Sequence, residues 1–142
     1  MQLIDVNVLV YAFRTDAPNH EVYREWVQQL VNGHTTFAVS DLVLSGFLRV
    51  VTHPRLFSPP TPLPNALEFV EILRSQPTAT VIGPGDRHWT IFLDLCRAAS
   101  ARGNLIPDAY LAALAIESGS EFITTDRDYA RFPNLRWRHP FD

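Results

Sequence analysis

Short apolar segments recur along the chain, separated by longer segments with the periodicity of helices. Each short segment is a run of mostly apolar residues bounded by polar, glycine or proline positions, a pattern that favours buried strands. Strands are predicted at residues 2–6, 36–39, 78–82, 122–124 and 135–138. Strands that are apolar throughout are typical of parallel sheets that are covered on both faces.

The intervening segments predict helices. In the first of them, Val22, Tyr23, Trp26 and Val27 recur at helical spacing before Gly33, a residue suited to end a helix. Other helix signals are a cap at Ser40 or Asp41, a helix start at Pro64 after a proline-dense loop, a cap at Asp86, a helix end at Gly103, and the pair Pro107 and Gly119. Helices are therefore predicted near residues 19–32, 41–52, 64–75, 86–102 and 107–118, with an extended or helical turn through Tyr11.

This alternation of strands and helices predicts an α/β fold. Parallel strands need long crossover connections, which the helices supply, so we expect three layers (α/β/α) around a parallel sheet of about five strands. The chain has 142 residues, of which 46% are hydrophobic, enough for one core. We therefore predict a single domain over residues 1–142.

Composition narrows the possible functions. All 12 basic residues are arginine, so a phosphate-binding P-loop and Schiff-base chemistry, which both need lysine, are excluded. The net charge of −3 gives no overall attraction to nucleic acid. A lone cysteine, five scattered histidines and the lack of a long apolar segment predict a soluble, cytoplasmic protein without a structural zinc site.

Three acidic residues stand next to apolar segments. Asp5 lies within the apolar run from Leu3 to Val10. Asp108 opens the apolar stretch from Ala109 to Ile116, and Asp126 follows the fourth predicted strand. Each could simply cap a helix, which is common for aspartate. However, Asp5 and Asp126 would both lie at the carboxyl ends of parallel strands, and Asp108 would face inward from the first turn of its helix, so the three can converge.

Convergence of three carboxylates predicts a cation site. Close like charges raise one another's pKa unless a divalent cation neutralises them, and oxygen ligands suit Mg²⁺ or Mn²⁺ better than zinc. Such a site can activate water and stabilise charge on a phosphoryl oxygen, so the predicted reaction is phosphodiester hydrolysis without an organic cofactor. Asn7 could orient a ligand or serve a turn, and Asp128 could assist or act only on the helix dipole.

Several motifs resemble those of PIN-domain ribonucleases of the VapC toxin type. The similarity spans nearly the whole chain and rests on the order and spacing of its motifs rather than on any one of them. The motifs are Asp5-Val6-Asn7, Tyr11-Ala12, Ser40, the segment from Phe47 to Thr52, Ile106-Pro107-Asp108-Ala109, and the segment from Thr124 to Tyr129.

The resemblance implies a PIN-like fold and a Mg²⁺- or Mn²⁺-dependent endoribonuclease, the toxin of a type II toxin–antitoxin system. It further implies a cognate VapB-type antitoxin, a homodimer, and tRNA or rRNA as substrate. Asp5, Asp108 and Asp126 are the expected metal ligands, and Asp128 is a fourth expected catalytic residue. The expected secondary contacts to the metal site or substrate are Asn7, Ser40, Arg49 and Thr125.

One position departs from the family pattern. The family usually carries a glutamate in the third helix, where this chain has Gly46. The missing carboxylate motivates an alternative hypothesis, a catalytically impaired PIN-fold module that binds RNA or a partner without cutting. Asp41 could partly replace the glutamate, although capping is its simpler role. A receiver or aspartyl-phosphate phosphatase domain also places acids after its first strand, but those proteins use a lysine that this chain lacks.

Overall fold

A computed structural model describes all residues, 1–142, and contains one five-stranded sheet. The strands are β1 (Gln2–Ile4), β2 (Phe37–Ser40), β3 (Ala79–Ile82), β4 (Glu121–Ile123) and β5 (Trp137–Arg138). Their order in the sheet is β3-β2-β1-β4-β5, and every neighbouring pair is parallel. The prediction of an α/β fold with a five-stranded parallel sheet is confirmed.

Six α-helices connect the strands. The helices are α1 (Val6–Phe13), α2 (His20–Asn32), α3 (Asp41–Val51), α4 (Leu63–Arg74), α5 (His88–Ala98) and α6 (Leu105–Ser118). Helices α1 to α4 contact one another as one group, and α5 and α6 form a second contacting pair. A short 3-10 helix spans Arg127–Arg131. No α-helix combines the length and the apolar character that crossing a bilayer requires.

The strand order creates a switch point between β1 and β4. From β1 the chain moves outward through β2 to β3, and it later returns to the other side of β1 with β4 and β5. Ile4 of β1 lies opposite Ile123 of β4, so the two strands end side by side. In open parallel sheets, a crevice for ligands forms where the strand order reverses in this way.

The first strand is shorter than predicted because Asp5 begins a helix. Its backbone is extended, and one side-chain oxygen accepts a hydrogen bond from the Val6 amide at 2.7 Å. This is the geometry of a helix N-cap, which satisfies an amide that the helix itself leaves without a partner. The uncertain turn through Tyr11 is therefore the helix α1, starting directly at the end of β1.

The boundaries predicted for α5, residues 86–102, were wrong. Asp86 does not cap α5, which begins at His88 after Arg87, and the helix ends at Ala98 rather than near Gly103. The left-handed residue after the helix is Ser100 (φ 49°), which lets the Ala101 amide reach the Cys96 carbonyl at 2.9 Å. A helix end of this type usually carries glycine, so the sequence pointed to the wrong residue.

Helical spacing in the sequence predicts a buried stripe of Trp89, Phe92, Leu93 and Cys96 on this helix, and the structure departs from that prediction at Trp89. Its side chain is 61% exposed, whereas Phe92 and Leu95 on the same helix are buried. Helical spacing alone could not tell which side of the stripe α6 covers. Gly119 ends α6 as predicted, in the left-handed conformation with φ 68°.

Replacing Gly119 with alanine should destabilise the fold by about 1 kcal/mol, because a Cβ strains a left-handed backbone. No atom lies within 4 Å of the position that this Cβ would take, so the cost would be conformational rather than steric. The matched control is Gly83→Ala, where space is equally open and φ is not positive. Urea unfolding should show a loss for Gly119→Ala and little change for Gly83→Ala; equal effects would contradict this explanation.

Candidate active site

A pocket of about 450 Å³ opens where β1 and β4 end. Asp5, Asp108 and Asp126 all line it, so the three acids that the sequence singled out are brought to one cavity. Asn7 and Arg49 contribute exposed side chains to the same walls. The pairing of β1 with β4 and the position of α6 together produce this convergence.

Asp5 is the most buried of the acids, with 6% of its surface exposed. One oxygen accepts the hydrogen bond from Val6, and the other accepts a hydrogen bond of 2.7 Å from the Thr124 hydroxyl. Its own amide donates to the Ile123 carbonyl at 2.9 Å, which extends the pairing of β1 and β4 by one residue. The capping role considered for Asp5 is therefore real, and the same carboxylate also faces the acidic pocket.

Thr124 is a residue of the candidate site that sequence reasoning missed. It is fully buried, and its hydroxyl donates to Asp5 while accepting a 3.0 Å hydrogen bond from the Asp126 amide. One hydroxyl thus links two of the three acids. Thr125, the neighbour that the sequence analysis named, is half-buried and does not line the pocket. A threonine two residues before an acid is a turn signal that could have favoured Thr124.

Asp126 precedes the 3-10 helix and caps it. One of its oxygens accepts a hydrogen bond of 2.9 Å from the Asp128 amide. Asp128 itself is exposed and does not line the pocket. Its carboxylate is close enough for its charge to help raise the pKa of Asp108. The structure therefore places Asp128 beside the pocket rather than in its wall.

Asp108 enters the pocket from the first turn of α6 and is half-buried. The one hydrogen bond made by its side chain comes from the Tyr129 hydroxyl, which donates to Asp108 Oδ1 at 3.2 Å. Tyr129 was not among the residues predicted for the site. Its position in the sequence, within an apparent turn, gave no sign that its hydroxyl would meet an acid 21 residues earlier.

Burial makes ionisation of Asp5 and Asp108 unfavourable and raises the pKa of both carboxyl groups. The pKa of Asp5 is raised from its usual 3.8 to about 6, mainly by loss of hydration; the hydrogen bonds from Thr124 and Val6 oppose this rise, and the charges of Asp108 and Asp126 add to it. Burial likewise raises the pKa of Asp108, with added repulsion from Asp126 and Asp128. A cation in the pocket would relieve both effects, because it favours the ionised carboxylates.

The donor set of the pocket suits a hard divalent cation. Apart from the Arg49 guanidinium, the polar side chains that line it carry carboxylate, amide and hydroxyl oxygens, and oxygen ligands are the ones that Mg²⁺ and Mn²⁺ prefer. No three acidic, histidine or cysteine side chains are already placed as a group that would hold a metal ion. Each acid instead accepts at least one hydrogen bond from the protein, and Asp108 and Asp126 each keep one carboxylate oxygen without a protein donor, which remains available to an ion.

Gly46 lines the acidic pocket, and its packing explains why a larger residue is difficult there. A Cβ built on Gly46 would lie 3.0 Å from a methyl group of Val6. That distance is shorter than ordinary contact, so Val6, the first residue of α1, would have to move. Gly46 thus allows α3 to approach the start of α1, next to Asp5.

Two other residues predicted near the site lie elsewhere. Ser40 is buried and lines a neighbouring, largely apolar pocket of about 470 Å³. Asp41 lines that same pocket and pairs with Arg74 at 2.9 Å. The Arg74 guanidinium lowers the pKa of Asp41. Asp41 neither replaces the missing glutamate nor caps α3, since Ser40 occupies the cap position.

Comparison with known proteins gives consistent matches over the full chain. The sequence model of the PIN domain family matches residues 3–135. Ribonuclease VapC43 of Mycobacterium tuberculosis is 45% identical over 142 residues, covering 100% of this chain and 97% of that protein. Ribonuclease VapC25 of the same organism is 44% identical over 140 residues, covering 99% of both.

A solved structure with a similar fold is VapBC2 from Rickettsia felis, bound to a DNA fragment from its promoter. The two chains superpose with a TM-score of 0.72 at 20% identity, and the match covers 97% of each. At this identity the likeness concerns the fold alone. A TM-score of this size supports the α/β fold described above.

The raised pKa of Asp5 predicts an unusual pH dependence of stability in metal-free protein. Between about pH 4 and 6 the folded chain keeps a proton on Asp5 that the unfolded chain has lost, so this residue lowers the free energy of unfolding as the pH rises. Asp5→Asn removes that effect. Relative to wild type, the variant should therefore become more stable with rising pH through this window, by on the order of 1–2 kcal/mol.

Urea unfolding in EDTA at pH 4, 5, 6 and 7 measures this difference. Asp94→Asn is the control, because Asp94 lies on the exposed surface of α5 and pairs only with Arg97. A constant difference between Asp5→Asn and wild type at all four pH values would show that Asp5 is not a destabilised carboxylate.

Proposed function

Because the chain belongs to the PIN-domain family, and within it to the VapC ribonucleases of VapBC toxin–antitoxin systems, we propose that it cuts RNA with a divalent cation held by Asp5, Asp108 and Asp126. The cation is Mg²⁺ or Mn²⁺, and the reaction is endonucleolytic hydrolysis of a phosphodiester bond. The observation that carries this proposal is the meeting of three acids from distant parts of the chain in one pocket.

Electrostatics support the need for a cation. Asp5 and Asp108 both have a raised pKa, so the ionised pocket is unfavourable by itself. A bound divalent cation would supply charge neutralisation, an activated water and stabilisation of a phosphoryl oxygen.

The surrounding residues have separate tasks in this proposal. Thr124 holds Asp5 and the Asp126 backbone in a fixed relation through its two hydrogen bonds. Arg49, exposed at the pocket wall, is suited to hold a phosphate of the RNA because its planar guanidinium can bind two oxygens. Asn7 would orient a ligand from the first turn of α1. Asp128 would act only from outside the pocket wall.

The alternative hypothesis, a catalytically impaired binding module, has less support than the ribonuclease. It was motivated by Gly46, but the comparisons give no indication of catalytic impairment, since the relatives that match over the full chain are named ribonucleases. Gly46 also has a packing reason to be glycine, through its contact with Val6. Three acids in the pocket provide enough ligands for an ion that completes its coordination with water.

Two protein partners follow from this proposal, a VapB-type antitoxin and a second copy of the chain. The similar structure from Rickettsia felis is a VapBC complex by its name. Exposed apolar side chains that a protein partner could cover include Leu42, Leu63, Ile72, Val81 and Trp89. Structured RNA in the cytoplasm, tRNA or rRNA, is the proposed substrate class.

Purified protein given total RNA and Mn²⁺ should cleave it, and EDTA should abolish the cleavage. Asp5→Asn and Asp108→Asn should each reduce the rate at least about 100-fold, because each removes one negative ligand from an ion with only three. Gel analysis of end-labelled RNA measures the rates.

Asp94→Asn is again the matched control, since it makes the same chemical change at an exposed ion pair on α5. It should leave the rate unchanged. Cleavage that persists in EDTA, or that survives both substitutions in the pocket, would refute the proposed metal mechanism. Intact RNA with folded wild-type protein and Mn²⁺ would instead favour the binding module.

The oligomeric state gives an independent check on the proposed partners. Light scattering should give a mass of twice the 16.1 kDa chain for the isolated protein. We expect a short reading frame for the antitoxin directly upstream of this gene, and co-expression with its product should give a complex that purifies together and no longer cuts RNA. A monomer at micromolar concentration would contradict the proposed homodimer.

A further inference from the structure

We propose that Tyr129 is a positioning residue of the acidic pocket, which fixes the orientation of Asp108 through the hydrogen bond from its hydroxyl. The inference rests on the proposed function, because it assigns Tyr129 a task in preparing Asp108 to hold the cation. It goes beyond that function by adding a residue that carries no charge and would contact neither the cation nor RNA.

The ring of Tyr129 is rigidly held. It is 2% exposed and lies among aromatic neighbours, with its centroid 4.6 Å from that of Phe122 and 5.8 Å from that of Phe132. Phe122 belongs to β4, a strand inside the sheet, so the ring is anchored to the most constrained part of the fold. Only its hydroxyl end reaches the acidic pocket.

The hydroxyl acts as a donor. Burial and the charges of Asp5, Asp108 and Asp126 raise the pKa of Tyr129 far above its ordinary value, so the phenol keeps its proton. The nearest acceptor is Asp108 Oδ1 at 3.2 Å. A neutral donor among three acids eases their repulsion without supplying a positive charge that would compete with a cation.

Asp108 is the one acid of the three whose side chain is held only by a residue distant in the sequence, whereas backbone amides close in sequence to Asp5 and Asp126 hold those two. Asp5 has two hydrogen bonds, from Thr124 and Val6, and Asp126 caps the 3-10 helix. The side chain of Asp108 has only the bond from Tyr129, made through one oxygen, which leaves its other oxygen without a protein donor. Losing the phenol hydroxyl would therefore free this carboxylate to rotate.

The test is Tyr129→Phe, which removes one oxygen atom and keeps every ring contact. Mn²⁺ binding, measured by titration calorimetry without RNA, should weaken about 10-fold, as is typical when an outer partner of a metal ligand is lost. In RNA cleavage, the concentration of Mn²⁺ that gives half-maximal rate should rise by a similar factor. At saturating Mn²⁺ the KM for RNA should not change, because Tyr129 would not contact the substrate.

Tyr23→Phe is the matched control. It also removes a buried phenol hydroxyl with one hydrogen bond, to His139 at 3.4 Å, but it lies away from the acidic pocket. Thermal unfolding in EDTA compares the stability of the two variants. Both should stay folded, and only Tyr129→Phe should change the affinity for Mn²⁺.

A second variant shows whether Tyr129 acts through Asp108. In the Asp108→Asn background, adding Tyr129→Phe should cause no further loss of Mn²⁺ affinity, since the carboxylate that the hydroxyl orients is already gone. If the two losses instead multiply, Tyr129 acts by another route and the inference is wrong.

The remaining outcomes separate this inference from the proposed function. If wild type binds Mn²⁺ and Tyr129→Phe binds it equally well, only the role of Tyr129 is refuted. If Tyr129→Phe unfolds, or if Tyr23→Phe loses as much affinity, the hydroxyl serves general stability and the inference again fails. If wild type binds no Mn²⁺, the proposed metal site fails and the inference fails with it.

Discussion

The buried carboxylate of Asp5 is the constraint on which the site depends. It stands at the end of the central strand β1, where its burial raises the pKa to about 6 and makes its charge expensive. The fold compensates with the Val6 amide and the Thr124 hydroxyl, one donor for each oxygen. Because Thr124 follows β4, this hydrogen bond joins the ends of two neighbouring strands at the point where the strand order reverses. The architecture and the chemistry of the pocket therefore meet in one interaction.

The acids serve structure and function together. Asp5 and Asp126 cap helical segments, which was the simpler explanation of their positions in the sequence. That explanation is correct but incomplete, because a cap needs no burial and no neighbouring acids. A cap fixes a carboxylate at the start of a helix, where the helix dipole also favours negative charge. The same geometry that stabilises a helix end thus prepares a ligand for a cation.

Sequence reasoning located the three acids because their signal is local. A charged residue beside an apolar run is visible without knowledge of the fold, and parallel strands end at one edge of a sheet. Sequence reasoning failed where the role of a residue depends on contacts between distant parts of the chain. Thr124 and Thr125 are chemically identical in the sequence, yet only Thr124 points to Asp5, and Tyr129 meets Asp108 across 21 residues. Trp89 was expected to be buried and is exposed for the same reason.

The sequence by itself determined the α/β class, the five parallel strands, most helix positions and the identity of the acids, since apolar periodicity and turn residues act over a few positions. Only the tertiary structure decided which hydroxyls hold those acids, how closely Gly46 approaches Val6, and which side of α5 is covered. These features depend on distances between elements far apart in the chain. Such distances are fixed by packing, and packing leaves no regular pattern in the order of residues.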